Sequence, residues 1–269
     1  MDNVLTATGV FEPRKTRLLE IIEEAGGQWG IVIEDLDGKG SIHLNPGNPF
    51  TAASVIKIPI MMAAFREARR GAVRLDDTII LRKEDKVGGS GVLKEFHNGL
   101  VITLLDAINL MIVVSDNTAT NLVIDAIGKE TVNQYMIEKG CTGSRLENYL
   151  MRPRPGGPFN TVTAKDITLL LKGLAEGTIE NPGDCDTMIG ILRRQQYNEK
   201  IPRYLPREAV CAHKTGEVSG VTHDAGIVTS PKANFVIVCL SQNLEDTRRG
   251  VDVIGKVAKW AYDTLSGIS

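Results

Sequence analysis

The chain has 269 residues, room for one large domain or for two lobes sharing a core. Apolar residues make up 42% and charged residues 24%, and the formal net charge is −2. That is the composition of an ordinary globular protein, and with no long basic run it gives no electrostatic footprint for nucleic acid. No apolar stretch is long enough to cross a bilayer.

The opening Met1-Asp2-Asn3-Val4-Leu5 lacks the charged and apolar regions of a secretory signal. The reading is therefore either a cytoplasmic protein or one separated from a leader. Apolar positions at Leu18, Leu19, Ile21 and Ile22 predict a helix over 15–24. Trp29 to Leu36 reads as a strand, Asp37-Gly38 as a hairpin turn, and Ser41 to Leu44 as the returning strand. Asn45-Pro46-Gly47-Asn48-Pro49 is a loop.

Ser54 to Arg70 is apolar on nearly all sides as far as Phe65, the mark of a buried helix, and Gly71 stands where a C-terminal glycine would fall. Further helical patterns run over 104–113, 119–127 and 131–138, and Thr163-Ala164-Lys165-Asp166 resembles a capping box with Asp in the Glu position. Between Leu150 and Asn160 the chain is too rich in Pro and Gly for regular structure and reads as a long cleft-edge loop. Ala209–Lys214, Ala225–Thr229 and Phe235–Ser241 are strands, the last two joined by a turn at 231–234, and 247–265 is a closing helix. Strands at both ends with helices between predict one antiparallel sheet made from the two termini, with an inserted helical lobe. The expected division is 1–49 with 202–269 as an α/β lobe and 50–201 as an all-helical lobe, the site lying in the cleft between them.

Cys141, Cys185, Cys211 and Cys239 form no C-x-x-C pair and neither demand nor forbid disulfides. His43, His97, His213 and His223 are spaced unlike metal ligands, so packing or surface roles are expected for them, with no metal and no cofactor.

Three short motifs occur in order: Ser54-Val55-Ile56-Lys57, Ser115-Asp116-Asn117 and Lys214-Thr215-Gly216. A Ser three residues before a Lys arises by chance about once in a chain of this length, so no motif is telling alone, whereas the ordered set is. On a helix Ser54 and Lys57 share a face roughly 5–6 Å apart at Cβ, and a helix N-terminus favours negative charge developing at Ser54. A lysine amid Val55, Ile56, Ile58, Pro59 and Ile60 is expected to have a depressed pKa and so to accept the Ser54 proton, with Lys214 as the second cation that lowers it further. Ser115 would relay a proton to a leaving nitrogen, Asn117 would meet an amide of the substrate, and Asp116 would brace the turn. The same triplet also suits a helix N-cap. Lys214-Thr215-Gly216 is expected at the end of a strand, with Lys214 and the Thr215 hydroxyl presented to a substrate carboxylate, Gly216 letting the substrate backbone approach, Glu217 beside the substrate, and the backbone N–H groups of Ser54 and Glu217 forming an oxyanion hole.

Together these residues resemble the class A β-lactamase superfamily, which includes related D-alanyl-D-alanine peptidases. The resemblance implies a β-lactamase/transpeptidase-like α/β/α sandwich, with a five-stranded antiparallel sheet and an all-helical lobe. It also implies a serine hydrolase acylated at Ser54 by a β-lactam or by the D-Ala-D-Ala end of a peptidoglycan stem peptide. In class A β-lactamases a loop glutamate activates the water that frees the acyl group. Matching Arg145-Leu146 to the family's Arg-Leu pair puts Leu150 at that position, as in the penicillin-binding-protein-A-like branch; a shifted register puts Glu147 there. The family's arginine for the substrate carboxylate is replaced by Thr222, with Arg203 and Arg248 as substitutes to consider. Gly88-Gly89-Ser90-Gly91 is either the opposite lip of the cleft or a plain flexible loop.

Three readings follow. One is a penicillin-binding-protein-like enzyme with slow deacylation, and the second is a true β-lactamase using Glu147. The third is a non-catalytic module that binds cell-wall fragments. The resemblance further implies an exported, periplasmic or extracellular protein that acts as a monomer on a small molecule and not on nucleic acid.

Overall fold

The computed structural model describes residues 4–268; Met1, Asp2 and Asn3, on which the reading of the chain's opening partly rests, lie outside the described residues. The strands in chain order are β1 (Leu5–Ala7), β2 (Gln28–Asp35), β3 (Ser41–Leu44), β4 (Phe50–Thr51), β5 (Thr78–Ile80), β6 (Val101–Thr103), β7 (Thr161–Val162), β8 (Val210–Val218), β9 (Val221–Thr229) and β10 (Asn234–Gln242). The helices are α1 (Lys15–Glu23), α2 (Lys57–Arg70), α3 (Leu104–Val113), α4 (Asn117–Ile127), α5 (Lys129–Glu138), α6 (Ala164–Ala175), α7 (Pro182–Leu192) and α8 (Thr247–Ser266).

One antiparallel sheet runs in the order β1-β3-β2-β10-β9-β8, so strands from the two ends of the chain meet where β2 pairs with β10. Five strands were expected; the sixth is β1, which adds Leu5–Ala7 to the edge of β3. Alternate side chains along each strand point to opposite faces and fill two cores. Ile31, Ile33, Phe235, Ile237 and Cys239 pack with α1 and α8 on one face. Val32, Val236, Val238 and Leu240 pack with the helical part of the chain on the other. The second face includes α6, which lies directly on β2, β9 and β10.

The segment 50–201 also holds two small two-stranded sheets, β4-β7 and β5-β6. Because β4 pairs with β7 and the Ala52 N–H donates to the Asn160 carbonyl at 2.8 Å, the approach to Ser54 is tied to the end of the 144–160 loop. Thr163 caps α6, its hydroxyl accepting from the Asp166 N–H at 3.1 Å, but the expected box does not close: the Asp166 carboxylate accepts from the Gly143 N–H and Ser144 Oγ, and the Thr163 N–H donates to Ser144 Oγ instead. Gly71 ends α2 at φ 75, in the left-handed region a glycine tolerates.

Two boundaries differ from the sequence reading in ways that shape the site. The helix expected from Ser54 starts as α-helix only at Lys57, after a 3-10 turn over Ala53–Ile56. Pro59 accounts for this, since its missing N–H is harmless only in the first turn of a helix. Lys214-Thr215-Gly216 does not end its strand: β8 continues to Val218, paired through Glu217↔Thr222 and Val218↔Val221.

Candidate active site

Lys57 is the centre around which the site is assembled. It is 0% exposed, packed inside the apolar α2, and its Nζ lies 3.0 Å from Ser54 Oγ, 2.8 Å from the Ser115 carbonyl oxygen, 3.1 Å from Ser115 Oγ and 2.8 Å from Asn117 Oδ1. The Ser115 carbonyl and Asn117 Oδ1 are acceptors only. They take two N–H donors of the amine, and in its neutral form the remaining lone pair faces Ser54 Oγ. Burial holds the Lys57 pKa well below a lysine's usual value; the nearby Lys214 charge adds to this and Asp116 opposes it. An amine so placed can take a proton from Ser54.

Ser115 reaches Lys57 with both its carbonyl and its hydroxyl because its backbone is left-handed, at φ 55. Holding a non-glycine residue there costs on the order of 1–2 kcal/mol. Asp116 locks the conformation. It caps α4 by accepting from the Ala119 N–H at 2.8 Å, and its other oxygen accepts from the N–H groups of Val92 and Leu93 at 2.6 and 2.7 Å. The triplet is thus both a helix cap and a contributor to the site. Asn117 Nδ2 donates to the Gly88 carbonyl at 3.2 Å and the Asn117 N–H to the Ser90 carbonyl at 3.1 Å, so the 88–91 loop forms a lip with Ser90 on the cleft.

The third triplet approaches from β8, the outermost strand of the sheet. A Cβ on Gly216 would stand 3.1 Å from the Ser54 backbone nitrogen and 3.2 Å from Ala53 Cβ, so glycine lets the strand close on the 3-10 turn. Lys214 is 0% exposed and donates to the Thr215 carbonyl at 2.9 Å. Burial pushes its pKa down to about 7, Lys200 adds to the fall, and Asp224 partly offsets it. A cavity of about 410 Å³ lies above these residues, lined by Ser54, Ser115, Thr215, Gly216 and Glu217 among others.

Lys200 was not anticipated. It lines the same cavity while 3% exposed, its Nζ donating to the carbonyls of Gly216 (3.3 Å) and His223 (3.2 Å). In the sequence it is one lysine in a polar stretch before Ile201-Pro202, with nothing local to mark it. The two arginines considered for the substrate carboxylate lie elsewhere. Arg203 faces Asp252 at 3.7 Å and Arg248, 91% exposed, pairs with Asp246; neither lines the cleft.

The 144–160 loop is held by four asparagines, each bonding its backbone with both ends of the amide; Asn148 spans the loop itself, accepting from the Arg154 N–H and donating to the Pro158 carbonyl. Asn133 holds Leu146, Asn160 holds Glu147 and Asn148, and Asn121 holds Leu150 at 2.8 and 3.0 Å. Asn121 follows Asn117 by one turn of α4 and so shares its face. Leu150 is therefore anchored one helical turn from the Lys57 partner. Glu147 instead pairs with Arg145 Nε at 2.8 Å.

The buried histidines are bound within the protein. His213 Nδ1 contacts Asp224 at 2.9 Å. His223 Nε2 lies 2.8 Å from the Thr51 carbonyl, while its Nδ1 accepts from the Ser241 N–H at 3.1 Å. Among the described residues no three His, Cys, Asp or Glu side chains group as a metal would require, the four cysteines are free thiols, and no helix is long and apolar enough to cross a membrane.

Solved structures share this architecture. A β-lactamase from Sphaerobacter thermophilus superposes with a TM-score of 0.89 at 35% identity, over 94% of this chain and 97% of its own. PBP-A superposes at 0.87 and 29% identity, over 95% and 97%. A leucine-to-glutamate variant of PBP-A, in acyl-enzyme complex with penicillin G, superposes at 0.86 and 29%. Among curated proteins, β-lactamase VEB-1 of Pseudomonas aeruginosa is 22% identical over 91% of this chain and 89% of its own length. The fold is the β-lactamase/transpeptidase-like α/β/α sandwich. The model of the β-lactamase enzyme family matches residues 13–265, nearly the whole described fold, and the chain belongs to that family of serine hydrolases.

Proposed function

We propose that this hydrolase is acylated at Ser54 by β-lactams and D-Ala-D-Ala peptides and releases the acyl group slowly, as a penicillin-binding protein does. Neutral Lys57 takes the Ser54 proton as Oγ attacks the carbonyl carbon. The backbone N–H groups of Ser54 and Glu217 stabilise the oxyanion. The proton passes by way of Ser115 Oγ to the nitrogen, whose bond to the acyl carbon breaks. Asn117 orients the acyl amide, and Thr215 with Lys200 holds the substrate carboxylate in place of the absent arginine, Gly216 admitting the close approach. Lys214 keeps the Lys57 pKa low from below.

The observation that supports slow release is Leu150, whose backbone is held by Asn121, one turn of α4 beyond Asn117. A leucine cannot polarise water. Intact-protein mass measurement after mixing with a penicillin is expected to show a persistent single adduct at Ser54, and Leu150→Glu to shorten its lifetime. A wild-type protein with neither adduct nor turnover would sink the acyl-enzyme reading.

A second reading, a working β-lactamase with Glu147 as base, is favoured by the relatives named β-lactamases at 35% and 22% identity. It requires rapid cephalosporin turnover that Glu147→Gln abolishes and Leu150 substitutions leave alone. The Arg145 pairing of Glu147 argues for the first reading. We further propose that residues 1–49 with 202–269 act as the α/β lobe and 50–201 as the helical lobe. The protein then works as an exported monomer, since peptidoglycan lies outside the cytoplasmic membrane.

A further inference from the structure

Among the described residues, the buried Lys200 is the basic residue lining the cleft, and it is flanked by two acids that line the same cavity, Glu199 and Glu217. Glu217 follows Thr215 by two residues on β8, so both side chains leave the same face of the strand. Its carboxylate is 59% exposed and Oε2 stands 3.9 Å from Lys200 Nζ. Two of the three Lys200 donors are taken by the Gly216 and His223 carbonyls, which leaves one for an anion in the cleft. Glu217 already stands beside that donor. Glu199, next to Lys200 in the chain, is exposed on the same rim.

A substrate carboxylate arriving at Lys200 and Thr215 thus meets one cation and two carboxylates. A purely anionic substrate must displace Glu217 from Lys200 and settle beside two like charges. A substrate carrying a cation next to its carboxylate satisfies Lys200 with the one group and the displaced Glu217 with the other. We infer that Glu217, with Glu199, makes this site selective for zwitterionic acyl donors whose positive charge lies beside the carboxylate. The inference rests on the reading above that Lys200 and Thr215 receive the carboxylate, and it adds the substrate class.

The test uses two cephalosporins with the same acyl side chain, one bearing a quaternary ammonium on the substituent beside the carboxylate and the other a neutral group. Second-order rate constants for Ser54 acylation are measured by intact-protein mass on the wild type, Glu217→Gln, Glu199→Gln and the double variant. In the wild type the zwitterion is expected to react faster, and the advantage to shrink at high salt as screening predicts. The double variant is expected to lower the zwitterion-to-anion ratio about fivefold, the scale of exposed charge pairs, chiefly by faster reaction of the anion. A wild-type ratio in all three variants, with adducts formed normally, overturns the selectivity and leaves acylation at Ser54 standing. No adduct on the wild type with either compound overturns both.

Discussion

At the scale of single residues, the site works by removing water from two lysines and giving their protons defined places to go. Lys57 is held below its usual pKa first by burial and then by the charge on Lys214. Removing that charge should raise the Lys57 pKa, so the amine stays protonated to higher pH. The acid limb of the acylation pH profile in Lys214→Met is therefore expected to move up in pH, measured by quenched mass spectrometry; an unmoved limb would separate the two lysines. Lys57→Met, which removes the base, should slow acylation by about 10²–10⁴ while Ser54 stays in place. These residues were legible in the sequence because each pairs with a neighbour one or three positions away, a spacing that helices and turns convert into contact. Lys200 was not, because its partners lie 16 and 23 positions later and only the β8–β9 pairing brings them to it.

Among elements, the strongest statements came from periodicity and turn chemistry: α1, the β2–β3 hairpin, α3 and α8 lie within a residue or two of their expected bounds. Short pairings were invisible. Strands β4 and β7 have two residues each and exist because Phe50 and Val162 are brought together from 112 positions apart in the described register. The asparagine supports of the 144–160 loop were equally hidden, since Asn121 and Asn133 in their helices, and Asn160 at the loop's end, announce nothing about the backbone they hold at a distance. Their weight can be measured. Asn160→Ala removes acceptors for the Glu147 and Asn148 N–H groups and a donor to the Asn148 carbonyl. It should cost about 1–3 kcal/mol in denaturant unfolding. Protease cleavage within 150–160 is expected to quicken in parallel; unchanged cleavage would show that the loop is held elsewhere.

For the molecule as a whole, His223 ties the sheet to the segment leading into Ser54. Its Nδ1 accepts from the Ser241 N–H and its Nε2 donates to the Thr51 carbonyl, an arrangement made for the neutral ring. Burial accordingly drives its pKa from 6.5 to about 4, helped by the Lys200 charge and opposed by the Thr51 carbonyl. Below 6.5 the unfolded chain binds a proton that the folded protein refuses, so the stability this ring contributes is whole above 6.5 and is lost as pH falls through about 4. The loss is about 3 kcal/mol in all. Urea midpoints are expected to fall across that window in the wild type and to fall less steeply in His223→Asn; equal slopes would assign the acid sensitivity to other groups.

The pairing of β2 with β10 has a consequence for how the protein is made. A ribosome delivers β2 and β3 some 200 residues before the strand that flanks them, so the nascent hairpin waits with one edge open. Ser54 and Lys57 emerge early as well, yet the wall opposite them is β8, which exists only after residue 218. Every truncated chain released before that point carries the nucleophile without a cleft, and offers its unpaired strand to whatever else is nearby. That edge stays open until β10, Asn234–Gln242, has been made.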